Sequence, residues 1–219
     1  MQQEFSPMID ADGLRARRPE PSERVRNKDI NRIDPICRRL IAASPFLLLS
    51  TVRPDGLPDI SPRGDGPGFV HVRDDRTLLV PDRAGNNRLD SFTNLATNPA
   101  LGMLFLIPGH GDRMRLRGRG VVRDDPELIA LFTGPKPPDM VLEVTVETLF
   151  LHCARATARA GLWRPDAWPD LAQVPSLAEA VKAHCALDQS VEEIAAVMEG
   201  NDRRVLGEEG IAPGAPVTR

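Results

Sequence analysis

The spacing of apolar residues changes several times along this 219-residue chain, and each change predicts a different element. Between residues 44 and 81 the apolar runs are short and separated by turn sequences, of which Arg53–Gly56 is the strongest, so strands joined by hairpins are expected. The segment 112–122 alternates strictly between arginines and apolar residues or glycines, as a strand with two unlike faces does. The segment 100–109 is almost continuously apolar, which predicts a strand buried on both faces.

Helical spacing interrupts this β-rich part only briefly. Apolar residues from Ile33 to Ile41 follow one helical face, and Asp34 before Pro35 predicts the start of that helix. A second helix is predicted from Asn87, burying Leu89, Phe92, Leu95 and Ala96. A short helix is expected over 126–132, and the segment 176–200 is helical and amphipathic.

This order of elements predicts a mainly β fold of the α+β class. About six antiparallel strands with hairpin spacing favour a closed or nearly closed β-barrel with helical caps. A doubly wound parallel sheet would need a helix after nearly every strand, and the spacing excludes that. Three parts are predicted: a flexible N-terminal arm over 1–27, the barrel over 28–163, and a proline-containing linker with a helical tail over 164–219. The tail is expected to pack on the barrel or on a second subunit.

Charge and composition argue against several classes of protein function. The net charge is −3, so the whole surface is not marked for nucleic acid or membrane. The N-terminus lacks an apolar signal segment, and no apolar run approaches the ~18 residues of a membrane span. Three scattered cysteines form no disulfide framework, and four histidines show no metal-ligand spacing. A cytoplasmic protein without a metal site, a nucleic-acid partner or a membrane partner is expected.

The main candidate site lies in residues 78–92, "LLVPDRAGNNRLDSF". Arg83 is placed in the loop and Arg88 in the first turn of the predicted helix, which Asn86 or Asn87 can cap. A cation at a helix N-terminus is unfavourable by roughly 0.3–1 kcal/mol. Two such cations are better explained if a phosphate binds there. The alternative is a solvated loop whose arginines point outward.

Two further basic features are weaker candidates. Arg63 ends a predicted strand before Gly64, where a ligand could approach the backbone, although an ordinary exposed strand end is the favoured interpretation. The arginines of the row 113–119 share one strand face, and a solvated outer face is favoured for them. Arg113 or Arg115 could turn toward a ligand.

Four segments together carry a resemblance to a known family: 34–52, 59–72, 78–109 and 151–163. They are similar to the pyridoxamine phosphate oxidase-like FMN-binding split-barrel flavoproteins over roughly residues 30–165. The piece P-D-R-x-G-N-N-R, residues 81–88, resembles one bacterial branch of that superfamily.

The resemblance implies a homodimer of split β-barrels with one FMN in each of two interface clefts. It implies that Arg63, Arg83, Asn87 and Arg88 hold the flavin phosphate, with Ser61 and Asp82 near the ribityl chain or ring. Arg113 matches a position that reaches the flavin from below. Trp163 lies in a stretch that the second subunit places over the ring.

The implied function is that of an FMN-dependent oxidoreductase acting on an unknown small molecule. Pyridoxamine phosphate itself is not expected as substrate, because the arginine–x–histidine pattern near the C-terminus is missing. No catalytic residue is assigned, since the flavin performs the hydride chemistry and the protein binds and tunes it. The alternative is a non-catalytic protein that stores, senses or carries flavin, the deazaflavin F420 or haem on the same barrel.

Overall fold

The computed structural model describes residues 9–212. The outer ends of the predicted arm and tail, 1–8 and 213–219, lie outside the described residues. The helices are α1 Ala11–Ala16, α2 Glu23–Arg26, α3 Pro35–Ala43, α4 Asp90–Thr97, α5 Pro126–Ile129, α6 Arg155–Ala160, α7 Leu177–Cys185 and α8 Val191–Glu208. The strands are β1 Phe46–Val52, β2 Pro58–Gly64, β3 His71–Val72, β4 Thr77–Pro81, β5 Ala100–Leu106, β6 Arg113–Arg123 and β7 Val141–His152.

The seven strands form one antiparallel sheet in the order β2-β1-β5-β6-β7-β4-β3. The predicted α+β fold with a mainly antiparallel sheet and a helical tail is confirmed. The sheet is not closed, because β2 and β3 end it without pairing to each other in the described part of the chain, and this agrees with the split barrel that the family resemblance implies. β3 has only two residues and hydrogen-bonds β4 alone, so it offers little edge for closure. The sheet is therefore split beside β2.

The core lies inside the curved sheet. Fully buried side chains come from four of its strands, among them Leu47, Leu78, Leu116 and Leu149. On β6 the predicted alternation is confirmed, with Met114, Leu116, Gly118 and Gly120 all buried. A Cβ at Gly118 would collide with the backbone oxygen of Thr145, so glycine lets β7 approach at the bulge between Arg117 and Gly118.

Helix α3 packs its buried residues into the core cluster and begins as predicted. The Asp34 side chain accepts the Cys37 N–H at 2.8 Å, which lowers the pKa of Asp34. Cys37 and Ile41 are buried, and burial, reinforced by Asp34, raises the pKa of the Cys37 thiol to about 12.

Two sequence predictions about packing need correction. β5 is buried on one face only: Leu101, Met103 and Phe105 are buried, whereas Gly102 and Leu104 are half-buried. Their face of β5 lines a surface groove instead of a second core. In helix α4, Phe92 and Leu95 are buried as predicted, but Leu89 and Ala96 are exposed. Leu89 is exposed because it precedes the helix and takes a left-handed conformation.

Both ends of the chain continue outside the sheet. The N-terminal segment contains α1 and α2, neither of which has a buried residue; its flexibility stays a prediction. At the other end, Ser176 and Ser190 each form a capping box that starts α7 and α8. The last turn of α8 lies against its own chain, where Glu208 pairs with Lys136 at 2.9 Å.

Candidate functional site

The strand β2 brings Ser61 and Arg63 to the split in the sheet. Alternation along the strand places both on the half-buried side. The Ser61 hydroxyl lies 2.9 Å from the Ser91 hydroxyl of α4, and the Arg63 guanidinium lies 5.1 Å from the centre of the Phe92 ring. Helix α4 therefore packs against β2, and the polar side chains of β2 face the split.

Two crossed ion pairs bridge the split. Arg63 on β2 pairs with Asp82 beyond β4 at 3.3 Å, and Arg83 beyond β4 pairs with Asp65 beyond β2 at 2.7 Å. Arg83 also donates to the backbone oxygen of Lys136 at 3.0 Å. Each segment thus contributes one arginine and one aspartate, and the pairs connect β2 with the segment after β4, two parts of the sheet that no hydrogen-bonded ladder joins.

Arg63 is the least satisfied group of the site. Its Nε is buried and has no hydrogen-bond partner. Burial lowers the pKa of Arg63, although Asp82 and Asp59 oppose the shift. Burial also raises the pKa of Asp82 against the attraction of Arg63, and Asp139 adds to the rise. Desolvation thus outweighs the attraction within this pair.

The loop Asp82–Leu89 differs from its predicted form. The predicted cap at Asn86 or Asn87 is wrong: α4 begins at Asp90 with Leu89 at the N-cap and no side-chain cap. Asn87 and Leu89 both have positive φ, 58° and 57°, so the chain turns twice before the helix starts. The Asn86 side chain instead accepts the Arg88 N–H at 3.1 Å, as in an Asx turn.

Arg88 consequently lies before the helix and not in its first turn. Its guanidinium pairs with Asp90 at 2.7 Å, and its side chain is 70% exposed. The bond to Asp90 raises the pKa of Arg88. Arg83, by contrast, is only 25% exposed. The two arginines face one cleft, but only Arg83 is held in a partly buried polar network.

The split encloses a cavity of about 720 Å³, which we term the split cleft. Six of the eight residues predicted to bind the cofactor line it: Ser61, Arg63, Asp82, Arg83, Asn87 and Arg88. A volume of this size is within the ~300–1,000 Å³ range of small-molecule sites. The lining is mostly polar, so the cleft suits a polar or charged ligand.

Arg113 and Trp163 are not in the split cleft. Arg113 donates to the backbone oxygens of Gly111 at 3.1 Å and Cys153 at 2.6 Å. Trp163 donates to the backbone oxygen of His110 at 2.9 Å. Both therefore brace the β5–β6 turn. Arg113 also lines a second cavity of about 640 Å³, the outer groove, on the exposed face of β1, β5 and β6.

Sequence reasoning missed the residues that close the cleft from outside. Lys136 and Asp139 come from the loop after α5, and Glu208 and Glu209 come from the end of α8. Glu209 accepts the backbone N–H of Ala84 at 3.2 Å. No spacing relates these positions to residues 81–88, so only the packing of α8 could place them there. The sequence GPKPP, residues 134–138, offered one weak signal because it holds one of three lysines.

Residues 9–212 also lack two kinds of feature. This range contains no group of three or more His, Cys, Asp or Glu residues that could hold a metal ion. It also contains no helix that is long and apolar enough to cross a membrane.

The family model described as Pyridoxamine 5'-phosphate oxidase matches residues 33–153, more than half of the chain. The chain belongs to the pyridoxamine 5'-phosphate oxidase family. This confirms the resemblance noted in the sequence, and the matched region contains both edges of the split. No curated protein shows a significant match to this family member.

Solved structures with a similar fold each align with about half of this pyridoxamine 5'-phosphate oxidase family chain. A variant of HupZ from Group A Streptococcus is 18% identical, covers 55% of this chain and 99% of its own, and has a TM-score of 0.44. General Stress Protein 26 from Bacillus anthracis str. Sterne is 19% identical, with 52% and 88% covered and a TM-score of 0.40. An FMN-binding protein from Syntrophomonas wolfei is 16% identical, with 52% and 82% covered and a TM-score of 0.41.

Proposed function

We propose that this chain binds FMN in the split cleft and uses it as an FMN-dependent oxidoreductase on a small molecule other than pyridoxamine phosphate. The observation that carries the proposal is that the guanidinium groups of Arg63 and Arg83, whose side chains are 22% and 25% exposed, line the same cavity. The N–H groups of a guanidinium form strong charge-assisted hydrogen bonds with phosphate oxygens.

The donor set of the cleft fits a phosphate group. Arg63 and Arg83 present planar guanidinium forks, which suit phosphate oxygens. The loop residues from Ala84 to Asn87 line the same cavity, and backbone N–H groups in such bends can bind anions. Bound FMN would supply the hydride chemistry. The chain's own residues would hold its phosphate through Arg63, Arg83 and Arg88, with Ser61 and Asp82 beside the rest of the molecule.

A homodimer is part of the proposal. The outer groove has an apolar floor that includes Leu48 and Leu104, and a basic rim that includes Arg113 and Arg115. An exposed apolar surface of this kind suits an isologous contact with a second copy. Arg113 would then reach a flavin only across the interface. Light scattering is expected to give about twice the chain mass of 24.0 kDa, and a stable monomer with full FMN occupancy would contradict this arrangement.

The binding test is a titration of FMN followed by flavin fluorescence. The parent is expected to bind FMN, and Arg83→Ala and Arg88→Ala are expected to bind it more weakly, with the larger loss at the more buried Arg83. Arg38→Ala is a matched control, because Arg38 is exposed on α3 outside the residues that line the split cleft. A parent that takes up no FMN, or arginine variants that bind as well as the parent, would reject the proposal.

Turnover is tested separately from binding. Reduction of the bound flavin by NADH or NADPH, followed as loss of flavin absorbance, would support the oxidoreductase. Flavin that stays bound but is reduced by neither donor would favour a protein that stores or carries the cofactor.

A further inference from the structure

The last turn of α8 places two carboxylates against the anion-binding side of the split cleft. Glu209 accepts the Ala84 N–H at 3.2 Å, and Ala84 belongs to the loop proposed to receive the phosphate. Glu208 pairs with Lys136 at 2.9 Å, and the backbone oxygen of Lys136 accepts from Arg83. The tail carboxylates therefore already occupy donors at the site where an anion is proposed to bind.

The charge of the cleft makes this contact significant. Six acidic and five basic side chains line it, so its own charges nearly balance. A phosphomonoester adds about −1.5 to −2 charge at pH 7. A phosphate near Ala84 and the Glu209 carboxylate are both negative and would lie close to the same N–H donor. They therefore repel each other unless the carboxylate moves away or is neutralised.

The end of α8 is followed by a close contact between Gly210 and the Pro135 ring. Gly210, which follows Glu209, has φ of 73°, a value that favours glycine. A Cβ at Gly210 would collide with the Pro135 ring. Lys136 is the next residue, so the same loop that receives the end of α8 also bonds Arg83 and Glu208. The loop at residues 135–136 therefore contacts both the end of the tail and Arg83 of the proposed anion site.

We propose that the carboxylates at the end of α8, Glu209 first and Glu208 second, are an internal competitor for the anion site, and that phosphate binding displaces them. The inference rests on the proposed FMN site and describes how the tail regulates binding at that site. The tail lowers the affinity for a phosphorylated ligand when docked. By reciprocity, bound ligand weakens the docking of α8.

The test is a comparison of FMN dissociation constants among the parent, Glu209→Gln and Gly210→Ala. Glu209→Gln removes the charge with little change of shape, and Gly210→Ala undocks the tail by a clash that leaves the carboxylates intact. Both are expected to bind FMN about three- to tenfold more tightly than the parent, since the competing charge is partly screened by solvent. Glu199→Gln, an exposed charge change on the same helix outside the cleft lining, should stay near the parent value.

A second readout follows the tail directly. Addition of FMN to the parent is expected to speed amide hydrogen exchange over residues 205–209. One result would contradict the proposed competition by the tail but leave the FMN site intact. In that result the parent binds FMN, neither variant binds it more tightly, and FMN slows this exchange. If none of the proteins binds FMN, the proposed site fails and the inference fails with it.

Discussion

The interior of the sheet and the split cleft differ in how they treat polar groups. In the interior, Leu78, Leu116 and Leu149 are completely buried and contribute no polar side-chain atom that needs a partner. At the cleft, Arg63 and Asp82 are partly buried with side chains 22% and 18% exposed, and Arg63 keeps an unpaired Nε. The interior is arranged for stability. The cleft instead keeps partly exposed charged groups to which a ligand can bond.

The largest expected effect comes from the interior. Leu149→Ala should reduce the free energy of unfolding by about 2–5 kcal/mol, because it leaves a cavity at a completely buried position. Urea denaturation measures this loss. The protein that remains folded should bind FMN with parental affinity, and a variant that is as stable as the parent would show that β7 is not part of a tightly packed core.

The next largest effect is expected in the cleft, where a substitution should reduce FMN affinity more than stability. Arg63→Ala should weaken FMN binding by about 10- to 100-fold, the range for a hydrogen bond to a charged group, and should cost less stability than Leu149→Ala. Calorimetric titration with FMN gives the affinity, and urea denaturation gives the stability. Arg53→Ala removes an arginine that is paired in the exposed β1–β2 turn and should leave FMN binding unchanged.

If Arg63→Ala binds FMN normally but unfolds as readily as Leu149→Ala, the comparison between the two regions is reversed. Arg63 would then be a structural residue whose charge the fold requires.

The smallest effect is a pH dependence at Asp82. Burial raises the pKa of Asp82 above its ordinary value of 3.8. Its contribution to stability is therefore present below the unfolded pKa and is lost as pH rises through the folded pKa. Asp82→Asn stays neutral, so its stability relative to the parent should increase as pH rises from about 4 toward neutrality. Urea denaturation across this range measures the difference.

Asp55→Asn, at an exposed aspartate of the β1–β2 turn, is the control for the pH series. A relative stability of Asp82→Asn that falls with rising pH would mean that the pair with Arg63 stabilises the ionised carboxylate, contrary to the direction given by burial.

Much of the interior could be predicted from sequence because it depends on local periodicity. The alternation on β6 and the start of α3 at Asp34 follow from side-chain direction and from capping. The cleft could be predicted only in part. The sequence placed Arg63 and Arg83 in two different segments, but their crossed pairing with Asp82 and Asp65 depends on how β2 and the segment after β4 meet in space.

The remaining errors have physical causes of the same kind. A left-handed Leu89 at the start of α4 is unfavourable for a residue with a Cβ, so Asn87 was the better local choice for a cap. The approach of Glu209 to Ala84 joins residues 125 positions apart, and neither residue carries a local signal for it. Arg113 was grouped with the cofactor by resemblance, whereas within one chain it braces the β5–β6 turn.

The most direct test of the central claim compares FMN with riboflavin, which lacks the phosphate. The account predicts that the parent binds FMN at least about 100-fold more tightly than riboflavin, since several charge-assisted hydrogen bonds depend on the phosphate. It also predicts that Arg63→Ala and Arg83→Ala lose most of this preference and change riboflavin affinity little. Equal affinity of the parent for the two flavins, or a preference that survives in both variants, would contradict the claim that these arginines hold a phosphate.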